Sequence, residues 1–238
     1  MYEFITHTWN PIKGKCYHDC SYCYMKNIAV YERPINLVEG ELQGDFGLNK
    51  FIFLGSSTDE FAQDVPDEWI TRVLDCCYNK TKYQQPQNRT RFLIQTKNPK
   101  RLLDFINHPL FDVERKQVVV CTTLETNRHY PDIMNNAPLP QERAEAMEVI
   151  SKKGIDTYVT IEPIMDFDVN EFVSLVKKCN PKQVNIGKHT NQNIKRPAPT
   201  IGKAVEFISN LNDFTKVHIK ANAEILNKAL LQAKIVLK

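Results

Sequence analysis

The chain has 238 residues, enough for one α/β domain with a full hydrophobic core. Its 31 Lys and Arg nearly balance 28 Asp and Glu, and 42% of the residues are hydrophobic, as in an ordinary globular protein. The start, "MYEFITHTW", lacks the pattern of a signal peptide, and no apolar run approaches the ~18 residues of a membrane span. We therefore expect a cytoplasmic protein with no membrane association.

Short β-rich runs alternate with helix-like stretches along the chain. The strand-like runs are 4–9, 50–56, 91–96, 117–123, 156–162, 183–188 and 216–221. The helix-like stretches between them are 21–31, 66–78, 98–107, 140–153, 168–178 and 200–211. Strands that alternate with helices at this spacing predict parallel βαβ units. We expect an α/β fold in a single domain, residues 1–238, whose six or seven units form an open or partial (β/α) barrel.

The charge is distributed unevenly along the chain. From Ser174 onward there are 12 Lys and Arg against 3 Asp and Glu, so this part is basic while the rest carries a small acidic excess. We expect the basic C-terminal portion, residues 190–238, to pack on the barrel within the same domain.

The seven cysteines fall into two groups. Three of them, Cys16, Cys20 and Cys23, form a C-x₃-C-x₂-C run inside a loop, residues 10–26, directly after the first predicted strand. An odd number of cysteines without an export signal argues against a disulfide framework and for reduced thiols or metal ligation. The remaining four are scattered through helix- and strand-like segments and are predicted to be small buried hydrophobic residues: Cys76, Cys77, Cys121 and Cys179.

The position and the spacing of the cysteine run predict an active-site metal centre. In barrels of parallel strands the chemistry lies on the loops after the carboxyl ends of the strands, where this run lies. Three thiolates can hold three irons of a cubane [4Fe–4S] cluster and leave the fourth iron open for another ligand. They can also hold one zinc ion, with His18 or water as the fourth ligand. No second C-x₂-C or H-x₃-H run follows, which favours the cluster, but both centres remain open.

The same run, with an aromatic residue before its last cysteine, resembles the signature of the radical S-adenosylmethionine (radical SAM) superfamily. On this resemblance Cys16, Cys20 and Cys23 are the cluster ligands, and Tyr22 is the aromatic residue that lies against the adenine of S-adenosylmethionine (SAM). The segments "TWNP", "CYM", "QTKNPKRL", "TTLETN" and "IEPIM" also resemble the phage Gp37/Gp68-like family (DUF5131) of that superfamily. The resemblance implies a partial (β/α)₆-type TIM barrel with parallel strands and outer helices.

The resemblance also implies a reaction. A [4Fe–4S] cluster passes an electron to bound SAM, which breaks into methionine and a 5′-deoxyadenosyl radical, and that radical removes a hydrogen atom from a substrate. Such an enzyme depends on an external electron donor of flavodoxin or ferredoxin type. The phage association favours a small-molecule or nucleic-acid-linked substrate, such as a nucleoside or DNA base, and places a phage-encoded enzyme in the host cytoplasm.

Residues after the second and third strands are candidates for binding SAM. The superfamily carries a Gly-Gly-Glu-like segment after its second strand that receives the amino group of SAM. This chain has Gly55, Ser56 and Ser57 there, so the position agrees with the superfamily motif but the residue types differ. A glycine permits close backbone approach and hydroxyls accept hydrogen bonds from an ammonium, although an N-cap run is the alternative. After the third strand, Lys97 is placed to neutralise the SAM carboxylate, unless it is a solvated surface lysine.

Later strand ends provide further candidates. After the fourth, Thr123 and Glu125 are placed for the ribose hydroxyls of SAM, although Thr123 also suits a capping role. Glu162 ends the fifth strand and is expected to point into the barrel mouth, where it binds SAM or substrate or forms a structural salt bridge. His189, after the sixth strand, is a further catalytic candidate with a structural role as its alternative. No other catalytic residue is assigned.

Two other functions remain as alternatives. A glycyl-radical-enzyme activase shares the C-x₃-C-x₂-C run but acts on a partner protein. A non-catalytic zinc module that binds nucleic acid would hold one zinc ion on the same cysteines. Radical SAM chemistry is the preferred interpretation because the motif and its place after the first strand agree.

Overall fold

The computed structural model describes residues 2–188 and 196–238. Its strands, in chain order, are β1 (His7–Trp9), β2 (Ile12–Lys13), β3 (Asn36–Leu37), β4 (Phe51–Leu54), β5 (Arg91–Thr96), β6 (Val118–Thr123), β7 (Asp156–Ile161), β8 (Gln183–Ile186) and β9 (Lys216–Ile219). All except β2 and β3 form one parallel sheet in the order β1-β4-β5-β6-β7-β8-β9. Strands β2 and β3 form a small separate antiparallel pair.

Helices lie along the outer face of this sheet and provide the crossovers that parallel strands require. They are α1 (Asp67–Thr81), α2 (Pro99–Leu102), α3 (Pro131–Met134), α4 (Pro140–Lys152), α5 (Val169–Lys178), α6 (Ile201–Asn212) and α7 (Glu224–Gln232). Neighbouring helices pack through their apolar sides; the rings of Phe172 on α5 and Phe207 on α6 are stacked with centroids 4.6 Å apart. None of the helices in residues 2–188 and 196–238 is long and apolar enough to span a membrane.

Strand side chains alternate between the helix layer and the concave face of the sheet, as a period of two requires. On β6, Val118 and Val120 pack with the helices, whereas Val119 and Cys121 belong to a separate cluster on the concave face. Every position of β6 is buried. This pattern is expected of a central parallel strand that is covered on both sides.

The segment ahead of β1 covers the concave face and reaches the last strands of the sheet. The ring of Phe4 lies 6.3 Å from that of His218 on β9, and the hydroxyl of Tyr2 is 2.5 Å from Oγ1 of Thr160 on β7. These contacts join the two edges of the sheet, which is therefore curved into a partial barrel. The predicted α/β fold, a partial barrel of parallel strands with outer helices, is confirmed.

Two of the predicted helical stretches differ in the structure, and helices α3 and α7 lie outside all of them. Residues 21–31 were expected to form a helix, but they form two short 3₁₀ turns, Tyr24–Asn27 and Ala29–Glu32. Extended backbone at Cys23 and Ile28, with ψ of 122° and 128°, bounds the first turn and prevents a continuous helix. Within 98–107 only α2 is α-helical, and a 3₁₀ turn follows it.

Candidate active site

A cavity of about 750 Å³ lies at the carboxyl ends of the strands, where it is bordered by the loops after β1, β4, β5, β7 and β9. This is the edge at which barrels of parallel strands carry their chemistry. Cavities of about 300–1000 Å³ are typical of small-molecule sites. Most of the candidate residues from the sequence line this cavity: Cys16, Cys20, Tyr22, Cys23, Gly55, Ser56, Ser57, Lys97, Thr123 and Glu162.

Cys16, Cys20 and Cys23 all border the cavity and all are free thiols. Burial raises the pKa of the Cys16 thiol to about 12. Within the described residues, no group of three His, Cys, Asp or Glu side chains is arranged to hold a metal ion. In a cubane cluster each thiolate binds a different iron, so its ligands stand farther apart than those of a single ion. Three soft thiol donors on one cavity wall are the donor set that such a cluster takes.

Asp59, in the loop after β4, connects three of the loops around the cavity. Its Oδ2 accepts hydrogen bonds from Nε2 of His18 (2.8 Å), Oγ1 of Thr96 (3.0 Å) and the backbone N–H of Lys97 (2.8 Å). Its Oδ1 accepts from the backbone N–H of Phe61 at 3.0 Å. Burial opposes the charge, but these bonds, above all that from His18, hold the pKa of Asp59 below its usual value. The cysteine loop is therefore anchored to the loops after β4 and β5 through a single carboxylate.

Residues 55–57, in the loop after β4, turn sharply at the cavity wall. Gly55 has φ of +74°, and a Cβ there would lie 2.7 Å from Cγ of Glu60, so the turn accepts only glycine without strain. Asn10 Oδ1 accepts hydrogen bonds from Oγ of Ser56 and the backbone N–H of Ser57, both at 3.0 Å. The Ser57 hydroxyl is buried and has no partner among the described residues. Ser57 as a residue lines the cavity.

Glu125 lies behind the cavity wall rather than on it. Its side chain is 0% exposed and forms an ion pair of 2.8 Å with Arg143, which is equally buried. The hydroxyl of Tyr22 donates to the other carboxylate oxygen, so both oxygens of Glu125 are engaged. Burial opposes its charge, but the Arg143 guanidinium and the Lys97 ammonium hold the pKa of Glu125 below its usual value. The structure thus gives Glu125 the position of a support for Tyr22, and its contact with a ribose stays a prediction.

Lys97 and Thr123 reach the cavity from β5 and β6. The Nζ of Lys97 lies 5.5 Å from the centroid of the Tyr22 ring, and it has no ion pair or hydrogen bond with the described residues. Although burial opposes its charge, Cys20 in its thiolate form and the carboxylate of Glu125 raise the pKa of Lys97. A cation beside the cysteines without an ion-pair partner is available to an anionic group, as the sequence predicted for the SAM carboxylate. Thr123 Oγ1 accepts a hydrogen bond of 3.3 Å from Gln95.

Glu162 lies on the opposite wall of the cavity, after β7. One carboxylate oxygen accepts a hydrogen bond from Nζ of Lys220, and the other accepts from Nδ2 of Asn222 at 2.8 Å. The salt bridge that the sequence offered as one role of Glu162 is therefore present, and it borders the cavity. His189, the other catalytic candidate, lies outside the described residues.

Several cavity residues were not found from the sequence. Tyr2, His218, Lys220 and Asn222 line the wall around Glu162, and Arg143 supports the wall around Tyr22. The strand at 216–221 was predicted, and its alternating pattern would have placed His218 and Lys220 on one face. No local signal marks Arg143, because its partner lies 18 residues away on another element.

Several solved structures share this fold. A spore photoproduct lyase variant with bound AdoMet and dinucleoside spore photoproduct matches 85% of this chain and 60% of its own, with 11% identity and a TM-score of 0.56. Streptococcus suis SuiB matches 96% of this chain and 52% of its own, with 11% identity and a TM-score of 0.60. SuiB bound to the precursor peptide SuiA matches 100% of this chain and 48% of its own, with 12% identity and a TM-score of 0.57.

These likenesses establish the fold, which this chain shares with spore photoproduct lyase and SuiB. The chain spans about half to three fifths of the length of these proteins. No family model matches the chain, and no curated protein matches its sequence. The narrower resemblance to the phage Gp37/Gp68-like family therefore rests on the quoted segments alone.

Proposed function

We propose that this protein is a radical SAM enzyme. The observation that carries the proposal is the convergence of Cys16, Cys20 and Cys23, all free, on one cavity at the carboxyl ends of a partial barrel. Cys16, Cys20 and Cys23 would hold a [4Fe–4S] cluster, which would supply the electron for cleavage of SAM into methionine and the 5′-deoxyadenosyl radical that takes a hydrogen atom from the substrate. A flavodoxin- or ferredoxin-type protein delivers that electron.

The side chains around the cysteines have separate tasks in this proposal. The Lys97 ammonium pairs with the carboxylate of SAM, and the free hydroxyl of Ser57 accepts a hydrogen bond from its amino group. The ring of Tyr22 forms the wall against the adenine, and Thr123 lies within reach of the ribose. Asp59 holds the cysteine loop beside these groups, because its carboxylate accepts hydrogen bonds both from that loop and from the loop of Lys97.

The substrate that we propose is a nucleoside or a DNA base. Support comes from the spore photoproduct lyase of the same fold, whose structure contains a dinucleoside photoproduct. The structure of SuiB with a precursor peptide makes a peptide the competing substrate class.

Product analysis tests both parts of the proposal. The anaerobically reconstituted protein is incubated with SAM and dithionite, and 5′-deoxyadenosine is measured by chromatography. We expect its formation, and with a deuterated deoxynucleoside we expect deuterium in its 5′ position. The absence of 5′-deoxyadenosine would contradict radical chemistry, whereas its formation without deuterium transfer from any deoxynucleoside would contradict the substrate alone.

A further inference from the structure

The wall opposite the cysteines is built by three neighbouring strand ends, which we call the β7–β9 corner: Glu162, Gly187, Lys220 and Asn222. The backbone N–H of Gly187 donates to the carbonyl of Ile161 at 3.0 Å, and that of Lys220 donates to the carbonyl of Ile186 at 2.8 Å. The parallel pairing thus continues one residue past each strand. It brings Glu162, Gly187 and Lys220 to the same level of the barrel mouth.

The glycine in the middle of the corner makes the contact between its neighbours possible. A Cβ on Gly187 would lie 2.7 Å from Cδ and 2.8 Å from Oε1 of Glu162, which is closer than real Cβ contacts. Without that atom, the carboxylate crosses β8 and meets Lys220 and Asn222 beyond it. Asn222 is fixed in turn by the backbone of Lys188, to which its amide donates at 2.6 Å. The corner is therefore a preformed arrangement.

The corner presents donors and acceptors to the cavity without a net charge. The side chains of Lys220 and Glu162 are 14% and 22% exposed, and both line the cavity. An ammonium has three donors, and the Glu162 carboxylate takes one of them; each carboxylate oxygen keeps a further lone pair. A phosphate placed here would meet the carboxylate. A neutral group with adjacent acceptor and donor atoms would be bound by both side chains.

Aromatic rings surround this polar corner. Tyr2, Phe53 and His218 line the same cavity, and Nζ of Lys220 lies 4.8 Å from the centroid of the Tyr2 ring. Tyr2 is held in place because its hydroxyl donates to Gln95 at 2.7 Å. Its ring is also stacked on that of Phe4, with centroids 5.2 Å apart. Rigid rings beside fixed hydrogen-bonding groups are the means by which proteins bind an extruded nucleobase.

We propose that the β7–β9 corner recognises the Watson–Crick edge of a nucleobase: Lys220 donates to a base carbonyl or ring nitrogen, and Glu162 accepts from a base N–H. Asn222 and Gly187 are positioning residues that fix Glu162. The inference rests on the proposed function, because it assigns the substrate end of the same cavity.

Direct binding tests the corner without catalysis. The four deoxynucleosides are titrated into the reconstituted protein by calorimetry under anaerobic conditions, and a short uncharged peptide is titrated as a comparison. We expect at least one deoxynucleoside to bind saturably. Lys220→Met and, independently, Asn222→Ala should weaken it about tenfold, the loss expected for a charge-assisted hydrogen bond or its support. Lys216→Met, an exposed lysine at the far end of the same strand, should leave the affinity unchanged.

The outcomes separate this inference from the proposed function. No saturable binding of a deoxynucleoside, equal affinities in wild type and both corner variants, or binding of the peptide alone would overturn the inference. If the same protein sample still forms 5′-deoxyadenosine from SAM, the proposed radical chemistry stands while the inference falls. If a deoxynucleoside binds as expected but no 5′-deoxyadenosine forms, the corner is a nucleobase site and the proposed reaction is wrong.

Discussion

Replacement of Arg143 by methionine tests how the wall behind Tyr22 is stabilised. The Arg143–Glu125 pair is 0% exposed on both sides, and Arg143 also donates to the carbonyls of Thr123 (2.8 Å) and Pro138 (2.7 Å). Removal of one partner of a buried pair leaves an uncompensated charge and costs about 3–5 kcal/mol. Because two carbonyl acceptors also lose a donor, we expect a cost at the upper end of this range. For a domain of this size that corresponds to a melting temperature roughly 10–20 °C lower.

Urea unfolding of the protein without its cluster, followed by circular dichroism, measures this cost. The matched control is Arg72→Met, which breaks an exposed, solvent-screened pair with Glu39 and should leave the free energy of unfolding nearly unchanged. Folding lowers the pKa of Glu125, so the stability that its charge provides is present at neutral pH. That stability is lost as the pH falls below the usual pKa of a glutamate. The deficit of Arg143→Met should therefore shrink in acid. A deficit under about 1 kcal/mol, or one that is independent of pH, would contradict a stabilising role of the Arg143–Glu125 pair.

Three further changes have defined outcomes. Asp59→Asn should lower the free energy of unfolding by about 1–3 kcal/mol, because buried donors lose their acceptor, and it should reduce iron retention after reconstitution. Unchanged iron retention would contradict the role of Asp59 in anchoring the cysteine loop. Burial raises the pKa of Glu60, so the folded state keeps a proton that the unfolded state releases. Glu60→Gln should therefore gain stability relative to wild type as the pH rises. The control Glu206→Gln, at an exposed position, should show no such gain. Gly187→Ala should destabilise by about 1–3 kcal/mol in thermal melts, while Gly202→Ala, which meets open space, should not; equal effects would contradict the packing at the corner.

The layout of the site follows from features that the sequence carries locally. Runs of β-branched residues at regular spacing predict parallel strands, and the loop after the first of them, which carries the cysteine run, borders the cavity. Cys16 and Lys97 are far apart in the chain, yet each was assigned to the cavity from the end of the strand that precedes it. This part of the site could be predicted because each assignment needed only the strand before it.

The remaining part depends on contacts between distant elements. Glu125 was expected to face the cavity, but its side chain lies behind the cavity wall, where it pairs with Arg143. That pairing exists only after α4 packs on the sheet. Tyr2 and Lys220 meet because the curved sheet brings its last strand beside the segment that precedes its first. Helix α7 (Glu224–Gln232) was missed as well. The curvature and the packing that create these contacts have no local sequence signal.

We propose that Cys16, Cys20 and Cys23 together hold a cubane cluster with one open iron. The most direct test is electron paramagnetic resonance of the anaerobically reconstituted, dithionite-reduced protein before and after addition of SAM, with iron and sulfide measured on the same sample. We expect about four irons per chain and a reduced-cluster signal that SAM shifts. Both should be lost in Cys20→Ala and kept in Cys121→Ala, which removes a buried thiol of β6. Zinc in place of iron, or an unchanged cluster signal in Cys20→Ala, would contradict this proposal.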